Sequence, residues 1–138
     1  MVQLQAQAPV PISLVLCDDV IPDRRSRKFH VIGWADSIRA ASFPHAARNF
    51  NVFIALTGTQ GNLSCQVDCF GPDGQKIFAS PARVLVFSRS DQIIVALFRL
   101  RGVRFPEAGV YRVRFLCNNH VVTERQIRLM AKGANGDV

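Results

Sequence analysis

One stretch decides the fold class: Gly109-Val-Tyr-Arg-Val-Arg-Phe-Leu-Cys117. From Tyr111 onward every second residue is apolar, whereas Arg112 and Arg114 occupy the positions between them. Successive side chains of a β-strand point to opposite sides of the sheet, so this alternation predicts one buried face and one solvated face. The stretch therefore predicts a strand of an antiparallel sheet, with the Tyr111 ring buried and its hydroxyl hydrogen-bonded.

Similar runs rich in Val, Ile and Phe occur on both sides of this stretch, and turn residues separate them. Gly71-Pro-Asp-Gly74 and Asn118-Asn119 are such separators. The predicted strands are Ile12–Val20, Phe29–Asp36, Asn51–Thr57, Leu63–Phe70, Lys76–Phe87, Gln92–Leu100, Gly109–Cys117 and Val121–Met130. The segment 37–49 is predicted as a short helix or a long loop, and Trp34 as a residue of the core.

Short strands at regular spacing, without long helical patterns, predict an all-β fold. We expect an immunoglobulin-like antiparallel β-sandwich of seven to nine strands. Because no linker divides the 138 residues, they form one domain, 1–138. Its core is predicted over 12–131, with flexible ends at 1–11 and 132–138.

The composition of the chain excludes several classes of protein. Hydrophobic residues make up 49% of the chain, so a disordered chain is excluded, and the apolar runs are too short to form a membrane-spanning helix. The uncharged start, Met1 to Ala8, does not resemble a signal peptide. The cysteines lie in apolar strand contexts, and Cys65 and Cys69 are about 13 Å apart along one strand, too far for a disulfide. We therefore expect four free buried thiols and a cytoplasmic protein: Cys17, Cys65, Cys69 and Cys117.

Several motifs together resemble a family of small uncharacterised bacterial proteins. They are Leu16-Cys-Asp-Asp-Val20, Phe29-His-Val-Ile-Gly33, Ser42-Phe-Pro44, Gly71-Pro-Asp-Gly74 and Pro106-Glu-Ala-Gly-Val-Tyr111. The resemblance covers nearly the whole chain. It implies an immunoglobulin-like sandwich, and it supplies no activity, cofactor or catalytic residue.

The ionisable residues form no constellation typical of an enzyme. Asp18 and Asp19 are adjacent in a strand and point to opposite faces, so they do not share a substrate. The alternative in which both join Asp23 as calcium ligands is opposed by the basic residues that follow. The three histidines have no second ligand at helical or hairpin spacing. We predict no catalytic, cofactor-binding or metal-binding residue.

Basic residues are the candidate binding groups, because the net charge is +7 and 14 of the 17 basic residues are arginine. One cluster forms a loop: Arg24, Arg25, Arg27 and Lys28. A second set, Arg99, Arg101, Arg112 and Arg114, occupies the polar positions of two late strands and is expected to share one exposed sheet face. In the last hairpin, a three-residue turn would place Arg114 opposite Glu124, and a two-residue turn would place it opposite Thr123.

These observations predict a non-catalytic, cytoplasmic protein-interaction module with an unidentified protein partner or a second copy of the chain. The alternative is a polyanion or nucleic-acid binder that uses the Arg-rich face. No aromatic residues lie between the arginines on that face, which disfavours binding of single-stranded nucleic acid. No cofactor and no membrane association are expected.

Overall fold

The computed structural model describes residues 7–133, and every regular element within that range is a β-strand. The strands are β1 (Val10–Cys17), β2 (Asp19–Pro22), β3 (Phe29–Ile32), β4 (Ser37–Ala40), β5 (His45–Ala46), β6 (Asn51–Thr57), β7 (Gly61–Phe70), β8 (Lys76–Ala79), β9 (Arg83–Phe87), β10 (Ile94–Arg99), β11 (Arg104–Phe105), β12 (Gly109–Cys117) and β13 (His120–Ala131). The all-β prediction is thus confirmed. The number of strands exceeds the predicted seven to nine, because several predicted runs divide into shorter strands.

The strands form two larger sheets and two small ribbons. One sheet has the order β1-β6-β10, and the other has the order β4-β13-β12-β7-β8, with β9 also paired to β7. The ribbons are β2–β3 and β5–β11. All pairs are antiparallel except β4–β13, which is parallel, so the second sheet is mixed and not antiparallel throughout.

The segment 37–49 contains no helix, which corrects one of the two structures expected there. Its first part is β4, whose Ile38 lies opposite Leu129 of β13. Strand pairing with a distant part of the chain supplies the backbone hydrogen bonds that a helix would otherwise make locally. The second part is connecting chain around the short strand β5.

Alternation determines which side chains form the core. In β12, Tyr111, Val113 and Phe115 are buried, and in β6 the inward residues are Val52, Ile54 and Leu56. These side chains from the two larger sheets belong to a single hydrophobic cluster. β6 and β12 have the predicted bounds: β12 has a regular apolar period, and β6 is a short continuous apolar run between Asn51 and Thr57.

The Tyr111 prediction is confirmed. The side chain has no solvent exposure, and its ring meets the Phe105 ring edge-on at 4.9 Å between centroids. Its hydroxyl donates to the Glu107 carbonyl at 2.6 Å and accepts the Glu107 N–H at 3.1 Å. Tyr111 therefore fastens the β11–β12 connection to the start of β12.

The ends of the predicted core are close to those of the sheets. β1 begins at Val10 rather than at Ile12, and β13 ends at Ala131, one residue beyond the predicted strand. The outer parts of the two ends expected to be flexible, 1–6 and 134–138, lie outside the described residues. Within 7–133, no helix has the length and apolar character needed to cross a bilayer.

Candidate interaction surface

The four arginines predicted to share one sheet face, which we call the sheet arginines, lie in two separate places. Arg99 ends β10, which pairs with β6 in the three-stranded sheet, whereas Arg112 and Arg114 lie on β12. Arg101 follows β10 in a connecting segment. The expectation that the four residues share one sheet face is therefore wrong, because β10 and β12 belong to different sheets.

Arg114 is largely neutralised by its surroundings. Its Nε lies 2.6 Å from Glu124 Oε1, and its guanidinium carbon lies 4.4 Å from the centre of the Phe70 ring. The turn Asn118-Asn119 has two residues, but a bulge after Phe115 shifts the register and places Arg114 opposite Glu124. The neighbouring Arg112 is exposed and forms no ion pair with any residue of 7–133. Arg112 and Arg114 help to line an open groove of about 440 Å³ beside the Gly71–Gly74 turn.

Arg99 also has an acidic partner, because its Nη2 lies 3.3 Å from Asp19 Oδ1. Together with Arg48 and Arg101 it lines a recess of about 120 Å³ beside Phe50. A recess of that size accommodates only a few water molecules. The sheet arginines thus form two separate and partly compensated groups.

The densest uncompensated charge is at the tip of the β2–β3 hairpin. The four cations of this basic tip are Arg24, Arg25, Arg27 and Lys28. All four side chains are exposed, and none forms an ion pair with another residue between 7 and 133.

Asp23 holds the basic tip in a defined conformation. Its N–H donates to the Lys28 carbonyl at 2.7 Å, and its carbonyl accepts the Arg27 N–H at 2.9 Å. Its Oδ1 accepts the N–H groups of Arg25 at 2.9 Å and Ser26 at 3.4 Å. These backbone hydrogen bonds lower the pKa of the Asp23 carboxyl group, because they stabilise its ionised form.

The strands of the same hairpin carry exposed apolar side chains. Opposite residues are Ile21 and His30, and Pro22 and Phe29. Phe29 packs on Phe53 of β6 at 5.2 Å between ring centroids, which attaches one face of the hairpin to the three-stranded sheet. Ile21 belongs to the other face and is exposed.

Trp34 follows the hairpin and is 64% exposed, so its predicted place in the core is wrong. β3 ends at Ile32, and Gly33 then turns the chain with a φ of 69°. A Cβ atom at Gly33 would collide with the Asp18 carboxylate. After this turn Ala35 N–H donates to the Leu16 carbonyl at 3.1 Å, and Trp34 lines a small recess together with residues of β1 and β13.

We call this set of features the hairpin surface. It comprises the basic tip, the exposed apolar residues Ile21 and Ile32 on the hairpin face that does not pack on β6, and Trp34 directly after the hairpin. Phe29 and Val31 lie on the opposite face, where Phe29 packs on β6. Sequence analysis identified the tip but missed the apolar part, because Val and Ile in a short strand are ordinarily read as core residues.

The acidic residues near the hairpin are engaged with neighbours. Asp19 pairs with Arg99 and Asp23 organises the tip, while Asp18 lies beside Gly33. Among residues 7–133, no three His, Cys, Asp or Glu side chains are close enough to hold a metal ion.

Comparison with known proteins places the chain in a family. It belongs to the family of unknown function DUF6941, which it matches over residues 12–130. This agrees with the expected membership of an uncharacterised family. No curated protein matches the chain.

A solved structure with partial similarity is the Pseudomonas fluorescens alkylpurine DNA glycosylase AlkC bound to DNA containing an abasic site analog. The two chains are 18% identical, with a TM-score of 0.45. The alignment covers 70% of this chain and 28% of the glycosylase chain.

Proposed function

We propose that the protein is a non-catalytic protein-interaction module that binds its partner through the hairpin surface. The observation that carries the proposal is the coincidence, on and directly after one hairpin, of exposed large apolar side chains and four cations that form no ion pair among residues 7–133. Monomeric proteins rarely expose clustered apolar side chains that serve no binding function.

The residue types match those that dominate protein interfaces. Trp and Arg are enriched among residues whose truncation costs the most binding energy, and such residues lie near the centre of an interface. Trp34 is the most exposed of the large hydrophobic side chains in the described chain. We therefore assign Trp34 to the centre of contact, with Ile32 at the adjacent base of the hairpin and the basic tip at the rim.

The charge of the surface defines the chemistry of the partner. The basic tip and the net charge of +7 favour an apolar patch bordered by Asp and Glu side chains. Exposed complementary charges accelerate association and orient the partner, whereas the buried apolar contacts slow dissociation. We propose a cytoplasmic partner of this kind, and the four free thiols support a reducing compartment.

A site-specific crosslinking experiment tests the proposal. A photoreactive amino acid is placed at Trp34 or, as the matched control, at Val84 of β9, whose side chain is 63% exposed. We expect a discrete crosslinked protein only from position 34. That protein is then purified, and its affinity is measured by calorimetry for wild type, Trp34→Ser and Val84→Ser.

Trp34→Ser should weaken binding at least about tenfold, while Val84→Ser leaves it unchanged. Equal losses for both variants would contradict the proposal. So would a crosslink to a second copy of the chain, or binding of wild type only to vesicles of anionic lipid, because each identifies a different occupant of the hairpin surface.

We also propose that the two larger sheets form an immunoglobulin-like sandwich. The support is the single core to which both sheets contribute and the Tyr111 hydroxyl bonded to Glu107. A Tyr at the start of a late strand that bonds backbone a few residues upstream is typical of immunoglobulin-like domains. An experimental structure with two sheets aligned face to face would support this architecture, and a closed barrel would contradict it.

Polyanion or nucleic-acid binding is the second candidate function, and the uncompensated basic tip favours it. Four clustered cations contact several phosphates at once, and the affinity then falls steeply with salt. Wild-type binding to heparin and to generic duplex DNA at physiological salt tests this candidate. Absence of binding to both at that salt concentration would exclude it.

A further inference from the structure

Two of the four cysteines face each other across neighbouring strands. Cys65 of β7 lies directly opposite Cys117 of β12, and their sulfur atoms are 2.8 Å apart. Both side chains are buried, with exposures of 0% and 3%. Cys17 and Cys69 have no comparable sulfur contact among the described residues.

We propose that Cys65 and Cys117 form a specific, reversible oxidation site at which a hydroperoxide converts the two thiols into one cross-strand disulfide. Opposite residues of antiparallel strands have Cβ atoms about 4.5–5.5 Å apart. A disulfide joins Cβ atoms about 3.5–4.5 Å apart, so a small local adjustment suffices. Sequence spacing excluded a Cys65–Cys69 bond, but it could not reveal that Cys117 lies opposite Cys65.

The pair lies at the end of β12, next to an exposed turn, where local opening can admit a small oxidant. Cys117 is the last residue of β12, and the turn Asn118-Asn119 follows it at the surface. This end is held to β7 by two hydrogen bonds: Asn118 N–H donates to the Ser64 carbonyl at 2.8 Å, and Ser64 N–H donates to Asn118 Oδ1 at 3.0 Å. Local opening of a strand end costs much less free energy than global unfolding.

The two sulfur atoms have different roles. The hydrogen bond from the Cys117 thiol lowers the pKa of Cys65 against the effect of burial, and Arg83 acts in the same direction. The same hydrogen bond and burial raise the pKa of Cys117. Burial raises the pKa of Cys69 to about 12, which keeps that thiol protonated and inert. The lower pKa favours Cys65 as the sulfur that ionises and attacks first when the strand end opens, with Cys117 as the resolving thiol.

The reaction balances with one hydroperoxide. The Cys65 thiolate attacks an oxygen of hydrogen peroxide; the O–O bond breaks, and with one proton the products are Cys65 sulfenic acid and water. The Cys117 sulfur then attacks the Cys65 sulfur. The S–O bond breaks as the S–S bond forms, and the Cys117 proton leaves with the oxygen as a second water molecule. Two electrons pass from the thiols to the peroxide, and a dithiol reductant returns them.

Peptide mass spectrometry of the peroxide-treated, folded protein tests the proposal. Free thiols are alkylated under denaturing, non-reducing conditions after treatment. We expect one disulfide-linked peptide pair, Cys65–Cys117, with Cys17 and Cys69 alkylated. Because the bond joins distant parts of the chain, the denaturation midpoint should rise on oxidation and return with dithiothreitol.

Two serine variants provide the comparison. Cys117→Ser should form no disulfide and show no rise in the denaturation midpoint, whereas Cys69→Ser should behave as wild type. If a variant does not fold, disulfide mapping of the wild-type protein is sufficient to test the proposal. The proposal is overturned if wild type keeps four alkylated cysteines after treatment, or if other cysteine pairs form in comparable yield.

Discussion

At the scale of single residues, Tyr111 offers the most direct test of the packing. Tyr111→Ala removes a fully buried ring and leaves the Glu107 N–H and carbonyl without their partner. We expect a loss of about 3 kcal/mol in the free energy of unfolding, from the cavity and the lost hydrogen bonds. Chemical denaturation measures this loss. A change below about 1 kcal/mol would mean that the ring contributes little to the core.

Gly33 is a second residue with a specific structural requirement. Gly33→Ala places a Cβ against the Asp18 side chain at a positive φ, whereas Gly102→Ala meets a similar φ of 80° with no atom within 4 Å. Both variants lose the conformational freedom of glycine, and only the first adds a collision. Gly33→Ala should therefore cost at least about 1 kcal/mol more than Gly102→Ala in denaturant unfolding. Equal costs would show that the base of the hairpin relaxes freely.

At the scale of elements, the hairpin tip should respond to acid. The pKa of Asp23 is lowered from its ordinary 3.8. The contribution of its carboxylate to the order of the tip is therefore complete above pH 3.8, and it is lost as the pH falls through the lower pKa of the folded state. The charged and polar groups facing this carboxylate are His30 and the N–H groups of Arg25 and Ser26.

The amide chemical shifts of Arg25 and Ser26 provide the measurement for this acid response. They should change below about pH 4, and Asp23→Asn should remove the change. Shifts that stay constant down to about pH 2 in the wild type would contradict the role assigned to Asp23.

A strand could be predicted from the sequence when its own residue pattern determines it, and not when pairing with a distant strand does. β6 and β12 were predicted with their observed bounds, because the continuous apolar run of β6 and the regular alternation of β12 are both local patterns. β4 was missed, since only its pairing with β13 makes it a strand. The Arg114–Glu124 pair arises from a two-residue turn followed by a bulge, and neither turn considered from the sequence included a bulge.

The candidate site was predictable only in its charged part. A run of arginines identifies a solvated loop from the sequence alone, whereas the exposure of Trp34 depends on where Gly33 directs the chain. The separation of Arg99 from Arg112 depends on sheet order, which residue pattern does not determine.

At the scale of the whole molecule, two variants of equal charge distinguish the basic regions. One replaces the tip, Arg24, Arg25, Arg27 and Lys28, by Gln; the other replaces Arg99, Arg101, Arg112 and Arg114 by Gln. Each lowers the net charge of +7 by four. Both should fold, because exposed ion pairs contribute only about 0–1 kcal/mol each.

Heparin binding compared across a salt series shows which region contacts polyanions. We expect weak binding by wild type, with the slope of log affinity against log salt reduced by the tip substitutions and nearly unchanged by the sheet substitutions. A larger reduction of this slope by the sheet substitutions than by the tip substitutions would assign polyanion contact to the sheet arginines.

The parallel pairing of β4 with β13 has a consequence for synthesis on the ribosome. β4 is made early, but within residues 7–133 it has one sheet neighbour, β13, which is the last strand of that range. The edge of β4 that will pair with β13 consequently stays open until Ala131 has cleared the exit tunnel, while β1 and β6 can already pair. An unpaired strand edge is a site for wrong association, so the nascent chain passes through a vulnerable interval that ends only when β13 docks.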